Sequence, residues 1–255
     1  YYTVLGWSGS KGSATKFNDE DYYWTLGKCL EVGDVVKRHC EIMDKYDPQK
    51  RIGLLVDEWG TWFDEEPGTV PGHLYQQNTL RDAMVAALSL NTFHTFTDRV
   101  KMTNIAQIAN VLQSMVLTKE DQMVLTPTYY VFKMYVPHQD AQLIPLNIST
   151  REITARDGRK VPVVSATASA KDGKTTLSLV NTDLNNESKV TVDLSGISAK
   201  KISGEILTAA SMNDYNDFGQ PEKVTLKGFS KGYQVKDGKL TVTLPAKSIV
   251  TLSLQ

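Results

Sequence analysis

Long apolar runs, an excess of one charge, paired cysteines and clustered histidines are all missing from this 255-residue chain. No apolar stretch approaches the ~18 residues that a membrane-crossing helix needs, and no basic-then-apolar leader opens the sequence. The first residues are Tyr1-Tyr2-Thr3-Val4-Leu5, without an initiator Met, which fits a piece cut from a longer polypeptide. Lys plus Arg number 28 against 29 Asp plus Glu, a net charge of -1. That balance gives no general attraction for nucleic acid or an anionic membrane and favours a neutral substrate. Cys29 and Cys40 fall in what reads as one helix, about 16 Å apart at the helical rise, too far for a disulfide, so two buried thiols are expected. The histidines, at 39, 73, 94 and 138, have no metal-ligand spacing, and neither a metal nor a cofactor is expected. There is no glycine-rich phosphate loop, no GxSxG elbow and no internal repeat.

What is present is a globular composition, 41% hydrophobic and 22% charged, enough for one large core or two modest ones. The pattern changes near residue 140. Before it, Leu26, Cys29, Leu30, Val36, Cys40 and Met43 form one helical stripe, and Leu80, Ala83, Met84, Ala87, Leu88 and Asn91 form another. Strand candidates alternate with them: Arg51 to Val56, then Arg99 to Thr103, which leads into an apolar run read as a helix over Ile105 to Leu117. Thr126-Pro127 reads as an N-cap with proline at the first helical position, opening a helix that runs through Tyr135.

After residue 140, short alternating strands follow turn residues: Thr175 to Val180 after Asp172-Gly173-Lys174, Lys189 to Leu194 after Asn185-Asn186-Glu187, and Leu240 to Leu244 after Asp237-Gly238. Such spacing indicates an antiparallel sandwich. The fold class expected is therefore α/β over 1–139 followed by all-β over 140–255. A closed barrel of eight strand-helix units takes about 250 residues, so 1–139 holds only three or four of them.

The chemistry concentrates where the first strand candidate ends. Arg51 to Val56 suits a strand buried on both faces, and the switch to Asp57-Glu58-Trp59-Gly60 marks its emergence into a loop. Side chains alternate along a strand, so only one of Asp57 and Glu58 faces a site, and Glu58 is the choice. With Trp59, Trp62 and Phe63 nearby, a carboxylate there suits a glycosidase nucleophile. A capping role for Asp57 or Glu58, or pairing with Arg51 or Arg81, fits the residues equally well. Asp64-Glu65-Glu66 reads as a solvated loop. Gln107 is placed either to reach a sugar hydroxyl or to satisfy a helix start. Tyr1 and Tyr2, ahead of the Gly-Ser-rich loop from Gly6 to Ser13, are either a strand end lining the same site or a frayed terminus.

The stretches DEWGTWFDEEPGTVPGHLYQQNTLRDAMVAALSLNTF, DRVKMTNIAQIANVLQS and TPTYYVFKMYVPHQDA strongly resemble the α-L-arabinofuranosidases of glycoside hydrolase family 51. The resemblance implies the last units, about six to eight, of a (β/α)8 TIM barrel followed by an antiparallel β-sandwich. It also implies retaining hydrolysis of α-L-arabinofuranosyl groups from arabinan or arabinoxylan type polysaccharides. The family nucleophile carries over to Glu58, the pocket tryptophan to Trp62, the glutamine of the NxAQ motif to Gln107 and a pocket tyrosine to Tyr2. Family members have asparagine where Gly60 stands. The Asn-Glu pair that supplies their acid/base has no counterpart here, so the chain by itself is expected to be inactive, with the N-terminal part of the barrel as its partner. A homo-oligomer is compatible with this, and a periplasmic or extracellular setting is favoured over a cytoplasmic one. The rival readings are another barrel glycosidase, such as a xylosidase or endoglucanase, and a noncatalytic carbohydrate-binding fragment.

Overall fold

The computed structural model describes residues 1–4, 6 and 9–255. Part of the Gly6 to Ser13 loop, at Trp7 and Ser8, therefore lies outside the described residues. Four helices, α1 (Asp19–Leu30), α2 (Val32–Tyr46), α3 (Leu80–His94) and α4 (Pro127–Tyr135), occur with strands β1 (Tyr2–Thr3), β2 (Leu54–Thr61), β3 (Val100–Ile105), β4 (Val116–Lys119) and β5 (Gln122–Leu125). The remainder is strand: β6 (Gln142–Ile144), β7 (Glu152–Thr154), β8 (Lys160–Pro162), β9 (Val164–Lys171), β10 (Lys174–Asn181), β11 (Ser188–Asp193), β12 (Ile202–Thr208), β13 (Lys227–Gly228), β14 (Tyr233–Lys236), β15 (Lys239–Leu244) and β16 (Ser248–Leu254). β1, β2 and β3 form a parallel sheet in that order. A closed barrel is not evident within these residues.

Local chemistry explains the helix ends. Asn18 caps α1 through its side chain, which accepts from the Asp21 N–H at 2.9 Å, and three acids occupy the first turn where the helix dipole favours them. The single helix expected across Cys29 and Cys40 is in fact two, α1 and α2, hinged at Glu31. Glu31 accepts from Lys28 and Arg159, each at 2.6 Å. Cys29 is buried, with its thiol pushed up to about 12 by that burial, whereas Cys40 is only half-buried, and both are free. Thr126 caps α4 as expected, its hydroxyl accepting from the Tyr129 N–H, with Pro127 in the first turn.

α3 is apolar nearly all round and fully covered from Leu80 to Leu88. Its core cluster takes in Trp59, α4 and α1, and also Val161, Val180, Leu207 and Ile249 from beyond residue 140. The helical part and the antiparallel part thus share a core. A second cluster lies between the six-stranded sheet β13-β12-β16-β10-β9-β6 and the three-stranded sheet β11-β15-β14, with Leu177, Leu179, Val250 and Leu252 meeting Leu240, Val242 and Leu244. Its hairpins use Asp-Gly turns, Asp172-Gly173 and Asp237-Gly238, in which both residues have positive φ, the backbone a tight two-residue hairpin requires.

Two expectations fail here. The run from Ile105 to Leu117 is not helical: it leaves β3, turns through Asn110 and Leu112 at positive φ, and enters the hairpin β4-β5. The reason is a long-range contact, since the carboxamide of Gln113 is drawn fully into the interior. Nor is β2 covered on both faces. Leu54 and Val56 pack on the helical core, but Leu55 is 49% exposed on the other face.

Candidate functional site

β2 continues through the acidic motif to Thr61, so Asp57 and Glu58 are in the strand and not in a loop after it. Simple alternation does not hold across them. Val56 pairs with Thr103 and Trp59 with Ile105, three residues against two, which is a β-bulge on β2. Val56 and Trp59 both face the helical core, and Asp57 and Glu58 are both exposed. Trp59 is a core residue, stacked on Phe132 (centroids 5.9 Å, 13°) and edge-on to Phe93 (5.5 Å). Of the two indoles near the acid, Trp59 is thus committed to the core.

Tyr2 is in register with Gly60 on β1, so the first residues are a paired strand and not a frayed end. Its phenol lies close enough to the Glu58 carboxylate to feel its charge and is pushed up to about 12, first by burial and then by that carboxylate. At neutral pH the phenol therefore stays protonated. Trp62 packs edge-on against Tyr2, centroids 5.2 Å apart, and its backbone N–H donates to Thr3 O at 3.0 Å. Gln107 is exposed two positions beyond the Trp59–Ile105 pair, at the same C-terminal end of the sheet.

Neither cation considered as a partner for the acidic pair takes that role. Arg51 lies 3.5 Å from Asp47. Arg81 is fully buried with its guanidinium between the rings of Phe17 and Phe63, at 3.7 and 3.8 Å, and donates to the carbonyls of Ser13 and Ala14. Burial lowers it to about 10, which still leaves it charged at neutral pH. The acids after the motif are more than a solvated loop. Asp64 accepts from the Ser10 hydroxyl and the Lys11 N–H, and Glu65 accepts from Gly72 N and Leu74 N. Glu66 accepts from Gln77 N and is raised by burial.

Behind β2 lies a buried polar network that the sequence reading missed. Thr61 donates its N–H to Gln113 Oε1 at 2.8 Å and its hydroxyl to Asp82 Oδ1 at 2.6 Å. Phe63 N donates to Gln76 Oε1, and Gln113 Nε2 donates to Asp82 O at 2.6 Å. Asp82 also closes the capping box of α3 with Thr79. Burial raises its carboxyl, with Arg81 and its hydroxyl and N–H donors acting in the opposite sense. A sequence signal for part of this existed: Thr79-x-x-Asp82 ahead of an apolar run is a capping-box variant. Gly60 has φ +144, a conformation that favours glycine, and a Cβ there would meet Gln113 at 3.3 Å. That accounts for the lack of a side chain where asparagine was expected. Among the described residues no three His, Cys, Asp or Glu side chains gather as a metal set.

The site thus sets one exposed carboxylate of a parallel strand beside a phenol and an indole. Residues 57–248 match the family model described as the α-L-arabinofuranosidase C-terminal domain. The chain belongs to the α-L-arabinofuranosidase C-terminal domain family. It is 62% identical, over its whole length and 50% of the relative's, to a protein from Bacteroides ovatus named an intracellular exo-α-L-arabinofuranosidase. It superposes on the GH51 arabinofuranosidase of Xanthomonas axonopodis pv. citri with a TM-score of 0.96 and 45% identity, covering 100% of this chain and 52% of that one. A Bifidobacterium longum protein named an intracellular exo-α-(1->5)-L-arabinofuranosidase is 25% identical over 80% of this chain and 41% of its own length. The chain thus spans about half the length of the relatives it matches. The names of the Bacteroides and Bifidobacterium proteins overturn the periplasmic or extracellular setting favoured from sequence, because both are called intracellular.

Proposed function

We propose that these residues form the nucleophile-bearing portion of a retaining α-L-arabinofuranosidase, acting on arabinose-containing oligo- or polysaccharide. Residues 1–139 are then about units six to eight of a (β/α)8 barrel, and 140–255 are a β-sandwich that buttresses it. Glu58 attacks the anomeric carbon of the arabinofuranosyl ring while a second carboxyl, about 5 Å away, protonates the departing oxygen. The glycosyl ester on Glu58 is then hydrolysed by water that the same second group deprotonates. That group comes from barrel units outside these 255 residues, so the chain alone does not turn over.

The observation that carries this reading is the placement of Glu58 beside the Tyr2 phenol and Trp62 on the paired parallel strands β1 and β2. Trp62 and Tyr2 shape the pocket, and Gln107 reaches a ring hydroxyl once substrate is bound. In the full-length protein, Glu58→Gln is expected to lower hydrolysis of 4-nitrophenyl α-L-arabinofuranoside on the order of 10³-fold or more, with folding retained. Glu58→Ala with added azide should give the glycosyl azide of inverted configuration. Near-normal turnover in the first variant, or hydrolysis without azide capture in the second, would remove Glu58 from the role.

A further inference from the structure

Residues 10–14 are fastened beside the site at five successive positions. The Ser10 hydroxyl and the Lys11 N–H occupy the two carboxylate oxygens of Asp64, and Asp64 N donates to Gly12 O at 2.9 Å. Buried Arg81 then binds the carbonyl of Ser13 at 3.2 Å and that of Ala14 at 3.1 Å. Asp64 and Phe63, whose ring Arg81 covers, directly follow Trp62. Residues 10–14 are therefore tied to the stretch that follows Trp62 and held by a planar cation stacked on two rings, a role lysine could not fill.

The residue this segment presents is Lys11. Its ammonium stands over the Trp62 ring, 5.6 Å from the centroid, and the side chain is half-exposed. Among the described residues it forms no ion pair: the nearby Asp64 carboxylate is taken up by the Ser10 hydroxyl and Lys11's own backbone. A half-exposed ammonium held over the indole beside Glu58, with no carboxylate partner among the described residues, can receive one from a ligand. We propose that Lys11 is a specificity-determining residue that takes the carboxylate of a uronic acid on the glycan carrying the arabinofuranosyl group. This rests on the glycosidase reading above. It adds a preference for acidic glycans that the net charge of the chain does not suggest.

The test compares an arabinofuranosylated oligosaccharide containing a uronate with its methyl ester, which has the same sugars without the charge, using the full-length enzyme. The ratio of kcat/KM for acid over ester is expected to be about fivefold, the discrimination a half-exposed ion pair supports, and to fall with added salt. In Lys11→Met the ratio should drop to about one, and Lys11→Arg should keep it. A wild-type ratio of one, or a ratio unchanged in Lys11→Met, overturns the assignment. So does failure to cleave either oligosaccharide while 4-nitrophenyl α-L-arabinofuranoside is hydrolysed. Failure on the aryl arabinofuranoside itself overturns the glycosidase reading as well.

Discussion

The two ends of α3 are both polar and both buried, yet they are built from different chemistry and hold different things. At the N-terminal end, the Asp82 carboxylate and the Arg81 guanidinium lie fully buried side by side, and Asp82 grips Thr61 at the end of the site strand. At the C-terminal end, the groups are neutral. Asn91 accepts from Tyr135 and donates to Ser165, and His94 bonds Thr167. His138, just past α4, bridges Ser169 and Ser178 at 2.8 and 2.9 Å. Burial, and secondarily His94, pushes His138 down to about 3, so it stays uncharged near neutrality. Charge is used where a strand end must keep its place beside an open site. Neutral hydroxyls and imidazoles suffice where a helix layer is joined to a sheet, because each partner is satisfied without the cost of burying an ion.

Removing the charged end should have the largest effect. Asp82→Ala leaves Arg81 buried without its neighbouring carboxylate and strips Thr61 and Thr79 of their acceptor. A loss of about 3 kcal/mol or more is expected in urea unfolding of the full-length protein. Turnover of the still-folded protein should also fall at least about tenfold, because a displacement of the supporting strand reaches the reacting groups. Unchanged turnover would break the link between this end and the site.

The two ends should also respond to acid with opposite signs. His138 is depressed in the folded state, so its contribution is fully present above the unfolded value near 6.5. That contribution is lost as pH falls from there toward about 3, at up to about 1.4 kcal/mol per unit. Asp82 is raised in the folded state, so its contribution grows as pH falls through the folded value toward the ordinary carboxylate range. His138→Gln should flatten the loss of stability between pH 6.5 and 3, and an equally steep loss in that variant would show that the C-terminal end is not its source. The smallest effect is expected from Gly60→Ala, about 1–2 kcal/mol, from positive φ and the push on Gln113. If it proved neutral, the network behind β2 would be looser than its geometry implies.

Much of this was legible in the sequence because it is encoded over short spans. The stripe on α3, the Thr126-Pro127 start of α4 and the Asp-Gly hairpins each depend on neighbours within a few residues. Glu58, Tyr2 and Trp62 stood out through the family motif, and the structure brings these three together. What stayed hidden depends on distant partners. The apolar spacing of Ile105, Ile108, Ala109 and Leu112 imitates a helix, but Gln113 satisfies Thr61 and Asp82 and pulls the chain out of it. The break at Glu31 likewise follows from its pairing with Arg159, 128 residues away. Trp59 and Trp62 look equivalent on paper, and only the bulge and the rings of Phe93 and Phe132 separate a core indole from a pocket indole.

The bulge between Val56 and Trp59 has a use apart from direction. Deleting Asp57 would restore strict alternation, with Val56 and Trp59 still inward and Glu58 still outward, so the extra residue is not needed to aim the carboxylate. What it adds is height, about 3.3 Å of strand. A mechanism that depends on two carboxyls about 5 Å apart cannot absorb an error of that size. On the nucleophile role proposed for Glu58, the bulge is a spacer that sets how far the carboxylate stands above the packed floor, and the length of the motif matters as much as its composition.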